Sequence, residues 1–157
     1  MDLYFLRHGE ADWPGWNKPD DERPLNKRGK AEMKKVTDFL ARLKPSIEHV
    51  VTSPLPRAAQ TAKAVAKKVK IDLKEDEILE PGFDVSDLRN LLRKYTGQSI
   101  MLVGHEPDFS AVIKALTGAR LKMSKAGIAL LDFEFAEMRG RLLWLLPPRI
   151  AKAAKRE

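Results

Sequence analysis

The chain has 157 residues, of which 43% are hydrophobic and 32% charged, with a formal net charge of +7 and no cysteine. That balance excludes a disordered chain, and the length suits one domain burying roughly two-thirds of its unfolded surface. The absence of cysteine excludes disulfides, thiolate metal sites and a cysteine nucleophile. No apolar run is long enough for a membrane span. The first residues lack a basic segment followed by an apolar stretch, so a cytoplasmic location is expected. The positive charge suits an anionic partner. However, Lys34, Lys35, Lys67 and Lys68 are spread along predicted helices without interleaved aromatics, which argues against nucleic acid.

Taken in order, Leu3 to Leu6 reads as a short buried strand that stops at Arg7-His8-Gly9-Glu10. In open α/β sheets the carboxyl ends of strands are where ligands bind. A polar loop through Pro24 follows, stiffened by Trp13, Pro14, Trp16 and Pro19, and long for a structureless connection. Asn26 is placed to cap a helix from about Lys27 to Leu43, with Met33, Val36, Phe39, Leu40 and Leu43 on one face. Gly29 weakens that helix and so points to a close backbone contact. A second strand is predicted over Ile47 to Thr52. Ser53 is expected to cap the next helix and Pro54 to open it. That helix runs to about Val69, with Ala58, Thr61, Ala62, Val65 and Val69 on one face. Arg57 sits in its first turn, the wrong end for a cation by dipole logic, and an anion bound there would reverse the balance.

A third, weaker strand lies between Ile71 and Leu79 and ends at Glu80-Pro81-Gly82. A helix is predicted from about Ser86 to Tyr95. The strand Ser99 to Val103 ends in Gly104-His105-Glu106-Pro107, and a helix to about Leu116 stops at Gly118. The tail alternates over Gly127 to Phe135 and returns as an apolar strand over Leu142 to Leu146, the pattern of an antiparallel pair. Pro147-Pro148 closes a single domain over 1–148, and 149–157 is a short basic segment. Four strand-then-helix units predict parallel strands with right-handed crossovers. The class is therefore α/β, with a mixed, mostly parallel sheet covered by helices.

The polar residues that follow the strands, Arg7, His8, Ser53, Arg57, Glu80 and His105, are expected at one rim. Guanidinium forks match phosphate oxygens. A neutral imidazole is a nucleophile at phosphorus. A second imidazole, if charged, adds a donor to the oxyanion, and Glu80, if protonated, would serve a poor leaving group. Ser53 reads first as a helix cap, with a substrate contact as the alternative. His49 reads as structural, and Lys122 and Lys125 as a solvated loop in preference to a basic rim. A metal site on His8, His105 and Glu80 is the competing chemistry, but two arginines beside it would repel a cation.

Arg7-His8-Gly9-Glu10, Thr52-Ser53-Pro54 with Arg57 and Thr61, and Gly104-His105-Glu106-Pro107 together resemble the histidine phosphatase superfamily. The phosphoglycerate mutases belong to it, and the short length is similar to its small branch, the SixA-like phosphohistidine phosphatases. The resemblance runs from Met1 to about Leu146. It implies a three-layer α/β/α sandwich, no cofactor and no metal. It implies His8 as a nucleophile that becomes phosphohistidine, Arg7, Arg57 and His105 as the phosphate pocket, and water as the final acceptor. Two positions depart from the pattern. Glu80, with Asp84 nearby, stands where the small phosphohistidine phosphatases often lack a carboxylate, and Asn26 replaces a customary Thr or Ser. The expected activity is a phosphatase, with phosphohistidine in a protein as the favoured substrate and a monomer as the favoured state. The alternatives are a small phosphomonoester or sugar phosphate as substrate, with Glu80 or Asp84 as acid, and a non-catalytic phosphopeptide-binding module. An intact His8 argues against the last, since binding needs no nucleophile.

Overall fold

A computed structural model describes residues 1–95 and 97–154. Its centre is a six-stranded sheet in the order β3-β2-β4-β1-β5-β6. The strands are β1 (Asp2–Arg7), β2 (His49–Thr52), β3 (Leu73–Glu75), β4 (Ile100–Gly104), β5 (Ile128–Glu134) and β6 (Arg139–Leu146). The pairs β1/β4, β2/β4 and β2/β3 are parallel; β1/β5 and β5/β6 are antiparallel. The helices are α1 (Lys27–Arg42), α2 (Pro56–Val69), α3 (Val85–Leu92), α4 (Asp108–Thr117) and α5 (Pro148–Ala153).

The pleat of β1 divides the core. Leu3 and Phe5 face a cluster with Leu88 and Leu91 of α3 and Phe109, Val112 and Ile113 of α4. Tyr4 and Leu6 face the opposite cluster, with Met33, Val36 and Leu40 of α1, Ala58, Ala62 and Val65 of α2, and Ala151 of α5. A strand buried on both faces must be apolar throughout, which is why Leu3-Tyr4-Phe5-Leu6 has no alternation. β5 and β6 carry the alternating tail as an antiparallel pair. The segment after Pro147 forms α5, which lies against α1 with Lys152 bonded to Glu32. Residues 155–157 of that segment lie outside the described residues.

The second helix starts later than its sequence suggests. Leu55 is its N-cap and Pro56 its first residue, so Ser53 and Pro54 lie in the preceding turn and Ser53 does not cap the helix. Pro at the first helical position explains the start as well at 56 as at 54. The third strand shrinks to three residues and passes into a 3-10 turn over Glu77–Leu79, because Asp76 accepts from the Ile78 N–H and turns the chain. Among the described residues no helix is long and apolar enough to cross a membrane.

Asn26 caps α1 through the Gly29 N–H at 2.8 Å. A Cβ on Gly29 would overlap the Glu10 carbonyl, so α1 presses on the segment just after His8. Gly29→Ala is expected to cost about 1–3 kcal/mol by overpacking, read as a lower urea midpoint. An unchanged midpoint would show that this contact yields freely.

Candidate active site

Three adjacent parallel strands, β1, β4 and β2, end at one rim. Arg7 is the last residue of β1 and pairs with Gly104 of β4. The next residue is held from both sides: the His8 N–H donates to the Gly104 carbonyl at 3.1 Å, and its carbonyl accepts from the Ala126 N–H at 3.1 Å. The Gly9 N–H donates to Thr61 Oγ1 (3.0 Å), which donates to the Arg57 carbonyl (2.7 Å), so the first turn of α2 is tied to the backbone beside His8. His105 follows β4, and its ring centroid lies 5.4 Å from that of His8. Ser53, anchored by its N–H on the Val103 carbonyl, places its hydroxyl 2.8 Å from His105 Nε2.

Of the expected site residues, the structure brings Arg7, His8, Ser53, Arg57 and His105 together. His8 is 8% exposed, Arg57 5% and His105 3%. Glu80 sits exposed on the turn after the 3-10 segment and has no side-chain hydrogen bond or ion pair among the described residues. Asp84 is the N-cap of α3 in a reciprocal capping box with Asp87, so its carboxylate is already engaged. His49 bonds Gln98 and packs on Tyr95, and Lys125 pairs with Asp12.

The bond of His8 Nδ1 to the Gly9 carbonyl, 2.8 Å, sets the tautomer. A carbonyl only accepts, so Nδ1 carries the proton and Nε2 keeps its lone pair. Burial pushes the His8 pKa from 6.5 down to about 4. The Gly9 bond opposes this, and the charges of Arg57, Arg7 and Arg23 add to it. Burial likewise pushes His105 to about 3, helped by His8 and Arg57. Both imidazoles are therefore neutral near pH 7, and the same burial disfavours a charged His105.

Arg7 Nη1 donates to the Met123 carbonyl at 2.9 Å. Arg57 donates to Asp20 twice, to its carbonyl at 2.9 Å and to its carboxylate at 3.4 Å. Arg7 Nε, Arg57 Nε and His105 Nδ1 are buried without a hydrogen-bond partner among the described residues. Buried unpaired donors are costly, and the two guanidinium Nε–H groups beside His8 describe a pocket suited to an oxyanion. Burial lowers the pKa of both guanidinium groups from its ordinary value, a desolvation that a bound anion would offset.

Two site residues escaped the sequence reading. Asp20 bridges Arg57 and Arg23, and the Arg23 hydrogen bond, with the charges of Arg23, Arg57 and His8, holds its carboxyl below the usual value. Arg23 also reaches the Ala11 carbonyl and so closes the loop over 11–23. The available signal was an Asp20-Asp21 pair in a basic chain; the contact to Arg57 spans 37 residues and has no local mark. Among the described residues no group of three or more His, Cys, Asp or Glu is placed to hold a metal ion.

The depressed imidazoles tie stability to pH. His8 and His105 titrate near 4 and 3 when folded and near about 6.5 when unfolded. The unfolded chain binds more protons across that interval, so stability rises with pH from about 4 to 6.5 and falls as pH drops through it. Unfolding midpoints are expected to be lower at about pH 5 than at about pH 7, with a smaller difference in His8→Gln. An equal difference in both proteins would contradict a buried, neutral His8.

A family model, the histidine phosphatase superfamily (branch 1), matches residues 3–80. An uncharacterized protein of Picosynechococcus is 33% identical over 136 residues, 82% of each chain. The phosphohistidine phosphatase SixA of Escherichia coli is 26% identical over 161 aligned positions, 99% of each chain. A solved structure of the protein histidine phosphatase SixA complexed with tungstate matches with a TM-score of 0.85 at 24% identity, covering 96% of this chain and 99% of that one. With the fold and the three motifs in place, the chain belongs to the histidine phosphatase superfamily, in its SixA-like branch.

Proposed function

We propose that the protein is a phosphatase that takes a phosphoryl group onto Nε2 of His8 and passes it to water, with phosphohistidine in a protein as the substrate. The observation that carries this reading is the Nδ1 bond to the Gly9 carbonyl, which leaves Nε2 as the free base in a pocket with two buried, unpaired guanidinium Nε–H groups. Nε2 attacks phosphorus and forms a P–N bond while the bond to the substrate imidazole breaks. That imidazole leaves with the electron pair and takes a proton from solvent. Arg7, Arg57 and His105 hold the phosphoryl oxygens, where charge stabilisation and positioning supply most of the catalysis. Water then attacks the phosphohistidine, the P–Nε2 bond breaks, and phosphate departs with His8 neutral again.

The protein substrate is favoured by the leaving group. An imidazole departs without an acid of matched pKa, and among the described residues no carboxyl group is bonded into this pocket except Asp20, which two arginines hold as an anion. An alkoxide needs a proton in the transition state. The similarity to a phosphohistidine phosphatase at 26% identity over the full chain points the same way.

His8→Ala is expected to lower turnover of a phosphohistidine protein by about ten-thousandfold or more while vanadate binding, followed by calorimetry, partly survives; retained turnover would discard the nucleophile. Glu80→Gln should leave phosphohistidine cleavage within about twofold, and a loss of tenfold or more would instead assign Glu80 as the proton donor. EDTA treatment followed by desalting should not change the rate, and a rate restored only by added metal would favour metal chemistry.

A further inference from the structure

The surplus positive charge of this chain is concentrated on one side of the sheet. α1 carries six Lys or Arg against two acids, α2 four against none, and α5 two against none. On the other side, α3 and α4 each carry one base and one acid. The α1/α2/α5 layer thus holds a surplus of ten charges in a chain whose net charge is +7. The two acids already deducted, Asp38 and Glu32, pair with Lys68 and Lys152.

Between α1 and α2 runs a groove of about 270 Å³. Leu25, Met33 and Ala64 line its floor, and the exposed side chains of Lys30, Lys63 and Lys67 stand around it. None of these three lysines has a hydrogen bond or ion pair among the described residues. Gln60, Lys63, Ala64 and Lys67 recur at i, i+3, i+4 and i+7, one stripe of α2. The head of the groove is fixed where the Leu25 N–H donates to Gln60 Oε1 at 2.8 Å. Gln60 is one turn past Arg57, so along the helix the groove begins about 4.5 Å beyond that residue and runs about 10 Å further, to Lys67, at about 1.5 Å per residue.

We propose that this groove docks the segment of the substrate protein that flanks its phosphorylated residue, and that the segment carries Asp or Glu on either side of an apolar side chain. The proposal rests on the protein-substrate reading above and adds the partner's surface chemistry. An apolar floor accepts a Leu-sized side chain, and three cations without partners complement carboxylates around it. At about 3.3 Å per extended residue, four or five substrate residues reach from the pocket to Lys67. A free small phosphate touches none of this.

The test uses two synthetic phosphohistidine peptides, one flanked by Asp, Glu and Leu, the other by Ser and Gly, with free phosphohistidine as the small substrate. Wild-type protein is expected to cleave the acidic peptide with about tenfold higher kcat/KM, carried by KM and lost as salt is raised. The variant K30E/K63E/K67E should remove that advantage and leave free phosphohistidine cleavage unchanged. Equal kcat/KM for the two peptides in wild type, or an advantage that survives in the variant, would overturn the groove. Cleavage of the Ser/Gly peptide reads the protein-substrate assignment separately. If neither peptide is cleaved, anisotropy of the unphosphorylated, labelled acidic peptide still decides: at least tenfold weaker binding by the variant supports the groove, and equal binding overturns it.

Discussion

The proposed chemistry turns on a single hydrogen bond: Nδ1 of His8 donating to the carbonyl of the next residue. It works because both partners are out of water. In solvent an imidazole exchanges tautomers freely and is half protonated near its ordinary pKa. Held at the end of β1 between β4 and the Ala126 segment, the His8 backbone cannot rotate away from this arrangement. Burial disfavours the charged ring, and three arginines repel a second cation. The same environment that would penalise an imidazolium thus keeps a lone pair ready on Nε2.

The pocket's charge follows from that constraint. Arg7 and Arg57 are expensive to bury, and each recovers part of the cost through carbonyls, on Met123 and on Asp20. The recovery is incomplete, since both Nε groups and His105 Nδ1 stay unpaired. Among the described residues Asp20 is the one carboxylate hydrogen-bonded to a pocket arginine, and it lies exposed on a loop closed by Arg23. A site with fixed donors and a deficit of acceptors is complementary to an oxyanion whose charge spreads over several oxygens.

The sequence made the layers legible because β1 and β4 are apolar on both faces and their helices repeat at 3.6 residues, so strand ends could be placed to within a residue or two. The cluster of Arg7, His8, Arg57 and His105 was readable for the same reason: each follows a strand that parallel topology brings to one rim. Ser53 was misread because either of two prolines fits the first helical position, and local rules do not choose between them. Its hydroxyl instead supports His105. The third strand was read as running to Leu79, whereas the chain turns at Asp76, so Glu80 stands on the exposed turn that follows. Asp20 was invisible because its contact with Arg57 is set by the path of an irregular loop.

The direct test of the account is the protonation state of one ring. Long-range 15N–1H correlation spectra of imidazole-labelled protein, assigned with His8→Gln, report which nitrogen carries hydrogen. At about pH 7 the account predicts for His8 a protonated Nδ1 and a bare Nε2, persisting down to about pH 5. A proton on Nε2, or an imidazolium at about pH 7, would contradict it, because neither form offers a lone pair at the nitrogen on which the chemistry depends.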